Sequence, residues 1–98
     1  MRIGIPKETK TLEGRVALVP AAAGDLAKRG HEVWIEQGAG LKSGFKDEAY
    51  TKLGVKIAPD AAALYEKGEL IVKVKEPIAG DLALLRQDHL LFCYLHLA

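Results

Sequence analysis

The sequence predicts an α/β fold, an open parallel five-stranded sheet with helices on both faces. Three observations carry that prediction. Short runs of branched aliphatic residues alternate along the chain with alanine-rich stretches of helical period. Glycines and prolines mark the boundaries between the two kinds of segment. Near the end, Leu90-Leu91-Phe92-Cys93-Tyr94-Leu95 is continuously apolar, the pattern of a strand buried on both faces.

The elements follow in order. Arg2-Ile3-Gly4-Ile5 reads as a first strand, stopped by Pro6. The stretch from Lys7 to Arg15 is too charged for a core and reads as a loop. Pro20 suits a first helical turn, where its missing N–H costs nothing; Ala22, Ala23, Leu26 and Ala27 form the apolar stripe, and Gly30 supplies the stop. His31 to Glu36 is a second strand and Gln37-Gly38-Ala39-Gly40 a turn. Phe45, Ala49, Tyr50 and Leu53 mark a second helix, with Asp47 and Glu48 complementing the dipole of its first turn. Val55-Lys56-Ile57 is a short strand, and Asp60 caps a third helix that runs to Gly68. Leu70 to Lys75 is the clearest strand, Asp81 to Arg86 a short helix, and His89 to Leu97 the last strand. Parallel strands joined by crossovers of a dozen or more residues give an open sheet of flavodoxin-like kind.

Composition narrows the setting. Ninety-eight residues hold one domain, with 49% hydrophobic residues, many of them alanine, and hence a small core. A net charge of +1 removes the electrostatic argument for nucleic acid. No apolar run approaches the roughly 18 residues of a membrane span, and the first residues lack a signal-peptide core. Cys93 has no second cysteine to pair with, which favours a reducing, cytoplasmic setting. No cluster of metal-ligand spacing stands out.

Ligands of open parallel sheets bind beyond the carboxyl ends of the strands. The loop after the first strand carries Lys7, Glu8, Lys10, Glu13 and Arg15; the fourth strand ends in Lys73 and Lys75, the fifth in Tyr94 and His96. Arg15, Lys75 and His96 therefore share one predicted edge. Arginine grips a carboxylate with two parallel hydrogen bonds, lysine polarises a carbonyl, and histidine exchanges protons near neutral pH. That set suits a small anionic substrate, although strand-end lysines and a histidine beside apolar residues also occur as ordinary solvated or packed groups. Glu8 reads as a solvated carboxylate or a loop orienter, and Lys73 as structural or solvated. Cys93 reads as inert and Trp34 as packing.

At these residues a resemblance emerges. Gly4-Ile5-Pro6-Lys7-Glu8, Glu13-Gly14-Arg15-Val16-Ala17 with Pro20, and Glu36-Gln37-Gly38-Ala39-Gly40 followed by Ser43-Gly44-Phe45 and Tyr50 resemble the N-terminal signature shared by alanine dehydrogenases and nicotinamide nucleotide transhydrogenase alpha subunits. Val72-Lys73-Val74-Lys75-Glu76-Pro77 and Tyr94-Leu95-His96-Leu97-Ala98 look like the alanine dehydrogenase branch, since transhydrogenases usually lack both Lys75 and His96. Four positions depart from the pattern. Val19 and Lys46 stand where Ser or Thr is usual at two helix starts, and Leu12 and Gly14 differ from the asparagine-rich version of the first loop.

The resemblance implies an NAD-dependent oxidative deamination of L-alanine to pyruvate and ammonia. It places Arg15 and Lys75 on the carboxylate and carbonyl oxygen of pyruvate and makes His96 the acid/base. Tyr94 is compatible with a pocket wall and equally with a core aromatic. It also implies a homo-hexameric parent enzyme whose NAD binds a separate Rossmann-type domain. The sequence contains no Gly-x-Gly-x-x-Gly; Gly38-Ala39-Gly40 begins one, but Ser43 fills the third position. The expectation is therefore that residues 1–98 are the N-terminal portion of a substrate domain, by truncation or by design, with the cofactor domain outside the chain and no activity alone. A stand-alone flavodoxin-like module that self-associates, and a transhydrogenase-like nucleotide-binding piece, are the competing readings.

Overall fold

The computed structural model describes residues 1–8, 15–74 and 83–93. Five parallel strands form one sheet: β1 (Arg2–Ile5), β2 (Glu32–Glu36), β3 (Lys56–Ala58), β4 (Leu70–Lys73) and β5 (Leu90–Cys93), in the order β3-β2-β1-β4-β5. Three helices accompany it: α1 (Pro20–Lys28), α2 (Asp47–Thr51) and α3 (Ala61–Lys67), with a 3-10 turn at Leu41–Ser43. The expected open, five-stranded parallel α/β sheet is what forms. Without the three-residue edge strand β3, the order β2-β1-β4-β5 is the 2-1-3-4 start of a flavodoxin-like sheet. Local periodicity carries no strand order, so only the pairing of β3 outside β2 reveals the extra edge.

Alternation along β1 assigns the helices to opposite faces. Ile3 and Ile5, in register with Val33 and Ile35, join Ala23 of α1 and Tyr50 of α2 in one buried cluster. Gly4, between them, faces the other way. A Cβ on Gly4 would lie 3.2 Å from Ile71 and 3.4 Å from the Gly68 backbone, so β1 and the end of α3 approach without side chains between them.

The helix ends follow the sequence closely. Asp60 Oδ1 accepts the Ala63 N–H at 2.8 Å, capping α3. At the end of α1, Gly30 N–H donates to Ala27 O and His31 N–H to Leu26 O, a Schellman closure. Val19 and Lys46 occupy the N-cap positions of α1 and α2, and neither makes a side-chain cap. Val19→Ser is accordingly expected to raise the unfolding free energy by about 1 kcal/mol, read as a higher urea midpoint at unchanged slope. An unchanged midpoint would show that the first turn of α1 is already satisfied.

Tyr50 links α2 to the chain entering α1. Its side chain is fully buried, and its Oη donates to Leu18 O at 2.8 Å. Burial, with the Asp47 carboxylate adding to it, pushes the phenol up to about 12. In the unfolded chain it ionises near 10. Between these values the unfolded state binds fewer protons, so stability present below pH ~10 is lost as the pH rises toward ~12. The loss is on the order of 2 kcal/mol. Tyr50→Phe should be less stable at neutral pH and lack this component of the alkaline slope. An identical slope in both proteins would contradict the burial of an un-ionised phenol.

Two expectations are corrected. Ala83 to Arg86, the described part of the short helix expected over Asp81 to Arg86, form no helix: Ala83 and Leu84 are a turn, and a further turn links Arg86 to His89. His89 holds it: Arg86 N–H donates to His89 Nδ1 at 2.8 Å, His89 N–H to Arg86 O at 3.1 Å, and His89 Nε2 meets Tyr65 O at 2.7 Å. These bonds compete with a helical ladder. The other correction concerns β5, expected to be buried on both faces. It is an edge strand of the described sheet, with Leu90 56%, Leu91 43% and Phe92 54% exposed. Its apolar run reports a strand, but among the described residues no helix packs across it. Among those residues, too, no helix is long and apolar enough to cross a membrane.

Candidate functional site at the sheet's switch point

β1 is flanked by β2 on one side and β4 on the other, so successive crossovers diverge at the carboxyl ends of β1 and β4. This is the place where open α/β sheets leave a crevice. The chain leaves β1 through the buried Pro6 and through Lys7, whose N–H donates to Glu36 Oε1 at 2.9 Å and ties the ends of β1 and β2 together. After the loop, Arg15 reaches a cleft of about 390 Å³ that it lines with Val16, Val19, Ser43 and Val74. Arg15 is exposed and Val16 and Val74 are buried, giving a cationic mouth over an apolar floor. Such a cleft suits a small anion with a short apolar group.

Beneath the cleft lies a group that the sequence left in the solvent. Glu8 is 6% exposed and Lys73 1%. Lys73 Nζ donates to Glu8 Oε1 at 3.3 Å, and Val74 N–H donates to Glu8 Oε2 at 3.0 Å. The solvated reading of Glu8 is therefore corrected: its carboxylate is buried against the end of β4, 65 residues away, where it neutralises a cation inside the sheet. One signal was available. Lys73 stands within an otherwise apolar strand, where a charge needs a partner.

Of the expected site residues, Arg15 is in the cleft. Lys75, Tyr94 and His96 lie outside the described residues. The strands that lead to them finish level, since Lys73 of β4 and Cys93 of β5 are register partners. Ser43 and Val74, which line the cleft, were not singled out from sequence, because their role depends on the fold of the turn after β2 and the end of β4. Cys93 is half-buried, and Trp34 packs under Lys56 and Lys67, with its indole N–H donating to Glu32 Oε2 at 2.7 Å. That bond and the Lys56 ammonium hold the Glu32 carboxyl below its ordinary range.

The glycine turn after β2 does not fit a dinucleotide phosphate. Gly38 N–H is taken by Asp47 Oδ1 at 2.9 Å, and a Cβ on Gly40 would lie 3.0 Å from Phe45 O and 3.0 Å from the Tyr50 ring. These glycines serve packing of the 3-10 turn against α2. Among the described residues, no group of three His, Cys, Asp or Glu could hold a metal ion.

A parallel sheet with a crevice at its switch point defines a domain of the doubly wound α/β class. Comparison with known proteins narrows the class. The chain belongs to the family described as "Alanine dehydrogenase/PNT, N-terminal domain", whose model matches residues 4–98. It is 45% identical over its full length to alanine dehydrogenase of Methanococcus maripaludis, covering 26% of that protein. It is 45% identical over 94 residues to the NAD(P) transhydrogenase subunit alpha of Cereibacter sphaeroides, covering 96% of this chain and 18% of that one. Its fold superposes on a solved L-alanine dehydrogenase with a TM-score of 0.93 at 44% identity, over 98% of this chain and 26% of that one. The chain thus spans about a quarter of the length of the alanine dehydrogenases it matches.

Proposed function

We propose that the chain is the substrate-binding portion of a cytoplasmic, NAD-dependent alanine dehydrogenase. The parent enzyme converts L-alanine, NAD and water to pyruvate, ammonia and NADH. The observation that carries this reading is the position of Arg15, at the mouth of an apolar-floored cleft on the sheet's switch point. In this reading the guanidinium takes the carboxylate of pyruvate or alanine with paired hydrogen bonds, and the methyl group lies against Val16 and Val74. Lys75 polarises the carbonyl oxygen, which carries developing charge when ammonia adds to pyruvate or leaves the carbinolamine that water forms with the imine. His96 exchanges the proton of that water. Tyr94 closes the wall.

NAD supplies the oxidation when bound. The described residues do not fit it, so its binding is assigned to the part of the parent enzyme outside this chain, and the isolated chain is inactive. Hexamer formation belongs to the parent too, whereas the exposed Leu90 and Phe92 favour self-association of the piece. The transhydrogenase-like alternative is favoured by the Cereibacter relative but lacks an account of Lys75 and His96.

The test is titration of the 15N-labelled chain with pyruvate. Shifts clustered at Arg15, Val16, Ser43 and Val74 are expected, with affinity near 1 mM, or ~−4 kcal/mol. NAD should shift none of them. No response to pyruvate up to tens of millimolar, or a saturable response to NAD, would overturn the reading.

A further inference from the structure

We infer that Glu8 and Lys73 act together as a positioning clamp for the substrate cleft, holding Val74, one of its lining residues, to the chain that leaves β1; this rests on the substrate-binding reading. Glu8 ends the described part of the loop that leads to Arg15, and both its oxygens are engaged by β4. Oε1 takes the Lys73 ammonium, which fixes the orientation of the carboxylate. Oε2 takes the N–H of Val74, a residue that lines the cleft beside Arg15 and precedes Lys75 in the chain. One side chain therefore joins the chain leaving β1 to a residue that lines the cleft. On the other flank, Lys7 N–H is held by Glu36, so the chain leaving β1 is tied to β2 as well as to β4.

Stability alone is a poor account of this pair. Two charges removed from water recover little net free energy, and apolar replacements of similar volume are often neutral or stabilising. What the ion pair adds is direction: with one oxygen held by Lys73, the carboxylate presents the other to the Val74 N–H. Displacement of a binding group by about 1 Å is enough to cost up to ~100-fold in productive contact.

Two double variants of the chain separate positioning from folding. Glu8→Leu with Lys73→Met removes both charges and the acceptor for Val74 N–H. Glu8→Gln with Lys73→Met removes the charges and keeps an acceptor. Both are expected to give dispersed spectra and a wild-type urea slope. The leucine variant should bind pyruvate about tenfold more weakly, or ~1.4 kcal/mol, and its Val74 amide should exchange faster relative to Ile35. The glutamine variant should recover most of both effects. A folded leucine variant with wild-type pyruvate affinity and wild-type Val74 exchange would overturn the clamp. So would equal losses in the two variants. If the wild-type chain itself binds no pyruvate while Val74 exchange still separates the variants, the clamp stands and the substrate reading falls.

Discussion

Glu8→Gln by itself is expected to destabilise the chain by about 3–5 kcal/mol. The substitution preserves volume and an acceptor for Val74 N–H. It removes the negative charge 3.3 Å from an ammonium whose side chain is 2% exposed. Against a total stability of roughly 5–15 kcal/mol, much of the folded population is at stake. Urea unfolding reads the change, and Lys73→Met completes a double-mutant cycle. The double variant should regain most of the loss, because the buried ammonium that faced the carboxylate is then gone as well. A single-variant loss below ~0.5 kcal/mol would mean that the pair is solvated in solution.

Arg15→Met should weaken pyruvate binding about 30-fold, or ~2 kcal/mol, while leaving the spectrum of a folded chain. The reason is geometric as well as electrostatic. Methionine keeps an apolar stem of similar length and loses the planar fork that fits a carboxylate. Arg15→Lys separates the two contributions: it retains charge without the fork, and should recover only part of the affinity. Binding unchanged in Arg15→Met would remove this residue from the site, and with it the main support for carboxylate recognition.

Much of the local structure was legible in the sequence, for reasons visible at single positions. Asp60 caps α3 because its side chain reaches an N–H three residues on. The Ile3 and Ile5 alternation reports a strand because side chains on a pleat point to opposite faces. Val19 and Lys46 announce missing caps, and the structure shows both helix starts without one. The apolar run at Leu90 to Cys93 was read correctly as a strand but wrongly as a covered one. Its exposure depends on which elements pack beside it, and apolar composition does not encode that. The expected helix ending at Arg86 gives way to turns because the His89 ring, held by Tyr65 O, takes the Arg86 N–H.

The candidate site divides along the same line. Residue type and the strand-end rule singled out Arg15 from the sequence, and the cleft at the end of β1 and β4 holds it. Lys75, Tyr94 and His96 rest on the sequence and its resemblance. The sequence by itself thus determined the α/β class, the helix ends and the chemistry offered at one edge of the sheet, because those follow from short-range periodicity, caps and side-chain type. Only the tertiary structure decided the position of β3 outside β2, the open edge at β5, and the union of Glu8 with Lys73 across 65 residues. Those features are contacts between distant parts of the chain, and no local pattern specifies which distant charge will neutralise which.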